Sequence, residues 1–142
     1  MYRARTGGFT LVELLVVVAL VALISALAAL ALPRSNNALI RDGERLAALL
    51  EAARANSRIT GVPVFWHTTA SGFAFEGMPA SAAPLPEHWL DAGTTASSAS
   101  PVWLGPDPII APQRIVLRGA GSSGSVEVLS DGLRPFHAQV AP

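Results

Sequence analysis

The sequence predicts an α+β chain in which a long N-terminal helix precedes a head rich in β-strands. Three observations support this prediction. An apolar run covers residues 9–32, apolar residues at helical spacing follow over residues 33–61, and short β-type runs between turn residues occupy residues 62–142. Helices followed by a run of strands are typical of α+β proteins.

The composition excludes several classes of site and partner. The 142 residues contain no Cys, so neither a disulfide framework nor a thiolate metal site is possible. All ten basic residues are arginine, and they are balanced by ten acidic residues. A nucleic-acid-binding protein would carry a basic face, so no nucleic-acid partner is expected.

Residues 9–32 form an apolar segment long enough to cross a membrane as a helix. At about 1.5 Å per residue, these 24 residues span roughly 36 Å, compared with a hydrocarbon core of about 30 Å. Arg3 and Arg5 precede the segment, which predicts a cytoplasmic N-terminus. We therefore expect a single-pass protein of the cell inner membrane, with its head in the periplasm of a two-membrane bacterium.

Glu13 is a charged residue just inside this apolar segment. A carboxylate at the centre of a membrane helix costs about 2.5–3.5 kcal/mol, and less near an end, so it requires a partner. Two simpler interpretations leave Glu13 unexplained. A secretory signal cleaved near residues 29–31 would have a shorter apolar core, and an ordinary signal anchor would account only for the length.

Residues 8–13, Gly-Phe-Thr-Leu-Val-Glu, resemble the class III leader of type IV pilins and type II secretion pseudopilins. The resemblance implies that a prepilin peptidase removes residues 1–8 by cleaving after Gly8, and that the new N-terminal Phe9 is N-methylated. Glu13 then meets the N-terminal amine of a neighbouring subunit in the filament core. Because the buried carboxylate is tolerated only when paired, Glu13 can set the register between subunits.

A second, amphipathic helix is predicted over residues 33–61. Its apolar residues recur at spacings of three, four and seven, as in a helix with one buried face: Leu39, Leu46, Leu49, Leu50 and Ala53. Opposite charges three residues apart, Asp42 with Arg45 and Glu51 with Arg54, are expected as ion pairs on the polar face. Gly61, followed by a proline two residues later, marks the end of the helix.

The head, residues 62–142, is predicted to contain short strands joined by turns. We expect a hairpin from residues 62–67 and 72–76, a strand at residues 114–118, and a terminal hairpin from residues 125–129 and 133–140. Pro135 has no N–H to donate, so the last strand is expected at a sheet edge. Residues 77–101, rich in Pro, Ala and Ser, are interpreted as a long loop in which Trp89 is the ordered residue.

The order of segments in the head is similar to type II secretion system protein H, a family of minor pseudopilins. The similarity rests on a Gly-Val-Pro-Val hairpin, the proline-flanked residues 104–110, and residues 128–136, Val-Leu-Ser-Asp-Gly-Leu-Arg-Pro-Phe. It implies a pilin-like fold, with the long helix packed on an antiparallel β-sheet or β-sandwich head.

The same resemblance implies a structural function. Minor pseudopilins belong to the periplasmic pseudopilus, which helps to export folded proteins across the outer membrane. The implied partners are the major pseudopilin, the minor subunits at the tip, the prepilin peptidase and an inner-membrane assembly platform. The alternative is a minor pilin of a type IV pilus, serving adhesion, twitching or DNA uptake. Some such pilins bind DNA through a basic C-terminus, whereas Arg134 is the only cation near the end of this chain.

No catalytic site, metal site or cofactor is predicted. His67, His88 and His137 are widely separated, and their spacing does not favour metal binding. Residues 119–124 match G-x-G-x-x-G formally, but the strand that follows predicts a turn rather than a phosphate site. Because the head offers no grouping of nucleophile, base and orienting residue, we do not expect an enzyme.

Overall fold

The computed structural model describes residues 11–31 and 34–141. The chain divides into two compact units, one within residues 1–33 and one within residues 34–142. The first contains helix α1 (Leu11–Ala31). The second contains helix α2 (Arg34–Thr60) and the strands β1 (Phe65–Thr68), β2 (Phe73–Glu76), β3 (Thr94–Ser98), β4 (Val102–Trp103), β5 (Gln113–Gly119), β6 (Ser125–Ser130) and β7 (His137–Val140).

The strands form two antiparallel sheets. The three-stranded sheet has the order β2-β1-β4, and the four-stranded sheet has the order β3-β5-β6-β7. Both predicted hairpins are confirmed, because β1 pairs with β2 and β6 pairs with β7. β7 lies at an edge of its sheet, as predicted, but the predicted start at residue 133 is wrong: the strand begins at His137, and Pro135 lies in the connection before it.

Helix α2 packs on β5, β6 and β7 through the predicted apolar stripe. Leu46 and Leu50 on this stripe are at most 1% exposed, because they insert between the helix and the four-stranded sheet. Gly43 permits the close approach, since a β-carbon there would come within 2.6 Å of the Val126 side chain. The helix ends at Thr60, and Gly61 follows with a φ of 70°, in the left-handed conformation that terminates helices.

The prediction of an α+β fold with a helix packed on antiparallel sheets is confirmed by these elements. That the two sheets stack as a sandwich stays a prediction. The core of the head is formed by buried apolar side chains from α2 and from both sheets, including Leu50, Trp66, Val102, Leu117 and Val128.

The prediction of a long loop over residues 77–101 is wrong at its C-terminal end. Thr94–Ser98 forms β3, which pairs with β5 along its whole length. The strand has no apolar alternation for sequence analysis to detect, because an edge strand is held by backbone hydrogen bonds and Thr94 is its only fully buried side chain. Trp89 is ordered as expected: it is 9% exposed and packs on Phe73, with ring centroids 4.6 Å apart.

Candidate functional site

Helix α1 exposes apolar side chains on all sides. Its sequence contains no glycine or proline and is dominated by Leu, Ala and Val, so nothing interrupts the backbone hydrogen bonds of the helix. The side chains of residues 11–26 are all exposed, with large apolar residues ranging from 47% for Val17 to 79% for Leu11. A helix that is apolar all round is normally covered by other protein or by lipid.

The polar residues of α1 are few, and each is compatible with the helix. Ser25 donates a hydrogen bond of 2.8 Å to the Val21 carbonyl oxygen, which satisfies its hydroxyl within the helix. Glu13 lies in the first turn, where a carboxylate interacts favourably with the positive end of the helix dipole. Gly8 and Phe9, the predicted cleavage and methylation positions, lie outside the described residues. Within the described ranges, no helix combines the length and apolarity of a membrane span.

Asp42 holds the segment before β3 against helix α2. Its carboxylate is 1% exposed and accepts three hydrogen bonds: from the Leu90 N–H at 2.7 Å, the Asp91 N–H at 3.3 Å and the Thr94 hydroxyl at 2.7 Å. Arg45 donates to the His88 carbonyl oxygen at 2.9 Å and fixes the same segment. The predicted Asp42–Arg45 ion pair on the polar face is therefore wrong, because both side chains bind backbone groups of residues 88–91, and Asp42 also binds the Thr94 hydroxyl.

Arg54 is a second buried charge on α2, and it anchors the other end of the head. The guanidinium is 1% exposed and donates to the carbonyl oxygens of Gly132 at 2.7 Å and Pro108 at 3.2 Å. Glu51 lies 3.7 Å from it, which confirms the predicted pair. The same Glu51 carboxylate accepts a hydrogen bond from the Phe136 N–H at 3.0 Å. One turn of α2 therefore holds both the residues preceding β5 and the connection from β6 to β7.

The protonation equilibria of two groups in the head are shifted. Burial lowers the pKa of the Arg54 guanidinium, and the positive charge of Arg58 lowers it further. Backbone N–H groups of Arg134 and Leu133 donate to the Asp131 carboxylate and lower the pKa of Asp131 below its ordinary value of 3.8. Both shifts therefore arise from the burial and contacts of these groups within the head.

The histidines considered as metal ligands are placed on different parts of the head. His67 lies in β1, His88 in the segment before β3, and His137 at the start of β7. Over residues 11–31 and 34–141, no group of three or more His, Asp or Glu side chains could hold a metal ion. Residues 120–124 form a turn that leads into β6, as predicted, and Gly119 is the last residue of β5.

Asp42 and Arg54 were missed as buried residues, although their spacing contained the signal. Asp42 follows Leu39 by three residues, and Arg54 follows Leu50 by four, which places both on the apolar stripe. A charged residue on an apolar stripe means either that the predicted helix is wrong or that the charge is buried and binds a neighbouring segment. Here both charges bind backbone groups of the head.

The comparisons with known proteins identify one segment of the chain. A family model of the prokaryotic N-terminal methylation motif matches residues 3–29. No curated protein and no solved structure matches the chain. The match includes Gly8, Phe9 and Glu13 and implies processing by a prepilin peptidase and assembly with other pilin-like subunits. The leader motif, with an α+β fold in which a helix packs on antiparallel sheets, supports a type IV pilin-like protein.

Proposed function

We propose that this chain is a minor pseudopilin of a type II secretion system, a structural subunit of the periplasmic pseudopilus. The methylation motif at residues 3–29 carries the proposal, because it requires a processed N-terminus followed by an apolar helix that can pack in a filament. The choice of a pseudopilus over a pilus is supported by the head segments that are similar to type II secretion system protein H. Other pseudopilins, of the filament body and the tip, are the proposed partners.

In this proposal the subunit is stored in the inner membrane before assembly. Residues 9–32 form the membrane segment, the basic leader stays in the cytoplasm and the head lies in the periplasm. The prepilin peptidase cleaves between Gly8 and Phe9, and Phe9 is then N-methylated. The apolar surface of α1 passes from lipid to contacts with neighbouring helices, so no exposed apolar area is left in water at any stage.

The proposed role is structural and not enzymatic. The buried charges of the head, Asp42 and Arg54, bind groups of the head itself, which supports a structural role for both. We propose that the head presents surfaces to neighbouring subunits, with α1 supplying the filament core.

Secretion by a deletion strain tests the choice between the two filaments. The culture supernatant of the deletion strain is compared with those of the parent and a complemented strain. We expect folded exoproteins to disappear from the medium and to accumulate in the periplasm. Unchanged secretion together with lost twitching or DNA uptake would refute the pseudopilus and assign the subunit to a type IV pilus.

Substitution of Glu13 tests the registration role. We expect Glu13→Ala to be cleaved and methylated normally, since the cleavage site is intact, but to be largely absent from sheared or overproduced filaments. Ser25→Ala is the matched control, because it removes a polar group of the same helix whose hydrogen bond stays within that helix. Mass spectrometry of the N-terminus separates processing from assembly, and normal incorporation of Glu13→Ala would refute the role.

A further inference from the structure

The outward face of the three-stranded sheet contains an open groove. Five side chains line it and belong to three strands and the residue before β4: Phe65, His67, Glu76, Pro101 and Trp103. The groove has a volume of about 690 Å³. Trp103 is 36% exposed, in contrast to the other two tryptophans of the head, which are at most 9% exposed.

Strand register explains why these side chains meet. Phe65 of the central strand β1 is directly opposite Glu76 on one side and Trp103 on the other. Directly opposite residues project from the same face with β-carbons about 4.5–5.5 Å apart, so the three form a row across the sheet. The alternate residues Trp66 and Val102 are at most 1% exposed and point to the core.

The two aromatic rings of the row are perpendicular. The centroids of Phe65 and Trp103 are 4.8 Å apart and the ring planes are inclined by 88°, the edge-to-face arrangement of a favourable aromatic pair. The pair is therefore held in place, and both rings border the groove. A ligand in the groove meets aromatic surface that is already ordered, which lowers the entropy cost of binding.

The charge of the groove is negative. Among the described residues that line it, Glu76 is the only carboxylate and none is an arginine. Aromatic faces attract cations through the ring quadrupole, and a carboxylate beside them adds a charged hydrogen-bond acceptor. A guanidinium group suits both, because its plane stacks on aromatic rings while its edge donates to a carboxylate. A lysine ammonium is more strongly hydrated and has no flat face.

We propose that this groove docks an arginine side chain presented by a partner protein. The guanidinium stacks against Trp103 and Phe65 and donates hydrogen bonds to the Glu76 carboxylate. Pro101 and the ring of His67 close the sides of the groove and contact the methylene groups of the arginine.

Peptide binding to the full-length chain in detergent micelles tests the proposal. The probe is a short neutral-flanked peptide with one arginine, and the matched peptide has citrulline, an uncharged isostere, in its place. The readout is the indole N–H signal of Trp103 in an NMR titration, with the signals of the buried Trp66 and Trp89 as internal references. We expect the arginine peptide to bind at least about tenfold more tightly than the citrulline peptide.

Two variants separate the groove from general charge effects. Glu76→Gln should weaken arginine binding about five- to tenfold while the fold is kept, because Glu76 is exposed. Asp107→Asn, which removes an exposed carboxylate outside the groove, should leave the affinity unchanged. Equal binding of arginine and citrulline, or equal weakening by the two variants, would overturn the proposal. If the Trp103 indole signal shifts with protein concentration in the absence of peptide, a second copy of the chain occupies the groove. That result would overturn the choice of a different partner.

Discussion

Replacing Asp42 by alanine tests whether its buried carboxylate holds the segment before β3 on helix α2. The substitution removes the acceptor of two short hydrogen bonds, to the Leu90 N–H and the Thr94 hydroxyl, both at 2.7 Å. A third bond, to the Asp91 N–H, is longer at 3.3 Å. Because this third bond is long, its loss adds little to the total.

The magnitude follows from the two short bonds. Hydrogen bonds to a charged group contribute about 1.5–3 kcal/mol each, and a buried donor left without an acceptor costs a similar amount. We therefore expect Asp42→Ala to lower the free energy of unfolding by about 3–5 kcal/mol, a large part of the roughly 5–15 kcal/mol that is typical of a domain. Asp42→Asn keeps one oxygen acceptor and should cost about half as much.

Urea unfolding followed by tryptophan fluorescence gives the global effect, because Trp66 and Trp89 are buried in the head. Hydrogen exchange of the Leu90 amide gives the local effect, which should be a loss of protection. Glu44→Ala is the control: it removes a carboxylate from the exposed face of the same helix and should change stability by less than about 0.5 kcal/mol. If Asp42→Ala is no more destabilising than Glu44→Ala, the argument for a structural carboxylate fails.

Three further predictions concern the opposite end of the head. Arg54→Met should lower the free energy of unfolding by about 1.5–3 kcal/mol, because it removes the short charged hydrogen bond to the buried Gly132 carbonyl oxygen and leaves that oxygen only the 3.4 Å bond from the Ile110 N–H. Arg58→Met, at an exposed position that shares the Pro108 carbonyl acceptor, should cost less than about 1 kcal/mol in the same urea titration. Gly132→Ala should prevent the native turn, since φ is 89° and a backbone carbonyl oxygen already occupies the position of the new β-carbon. Gly121→Ala, with φ of 75° and open space around the new β-carbon, should lower the free energy of unfolding by only about 1–2 kcal/mol. Similar thermal unfolding temperatures for the two variants would contradict the packing argument. Because the pKa of Asp131 is lower in the folded protein than its ordinary value of 3.8, the ionised carboxylate stabilises the turn fully above pH 3.8. This stabilisation is lost as the pH falls through the pKa of Asp131 in the folded protein. A midpoint at or above pH 3.8 in an NMR titration of Asp131 would contradict this prediction.

Local patterns predicted the elements whose determinants are close together in sequence. Gly61 ends α2 where a left-handed residue was expected, residues 69–72 connect β1 to β2, and the turn at residues 131–132 begins the connection from β6 to β7. Each of these depends on a few adjacent residues, so the sequence contains the necessary information.

β3 and the buried charges of α2 depend on partners far away in the chain. The Thr-Thr-Ala-Ser-Ser segment of β3 forms a strand because it pairs with β5, about 20 residues later in the chain. Asp42 is buried because its hydrogen-bond donors come from a distant part of the chain, at least 48 positions further along. No local pattern reports whether such a partner will be present, so the polar character of these residues favoured a loop and a solvated helix face.

The evidence for a pilin-like protein comes from a linear sequence motif at the N-terminus. The methylation motif includes Gly8, Phe9 and Glu13, whose spacing along the chain defines it, so residues 3–29 alone support a pilin-like protein. The surfaces of the head are different, because Phe65, Glu76 and Trp103 come from three strands and meet only through strand register. Their perpendicular rings and adjacent carboxylate exist only once the sheet has formed, and this is why the groove could not be predicted from spacing along the chain.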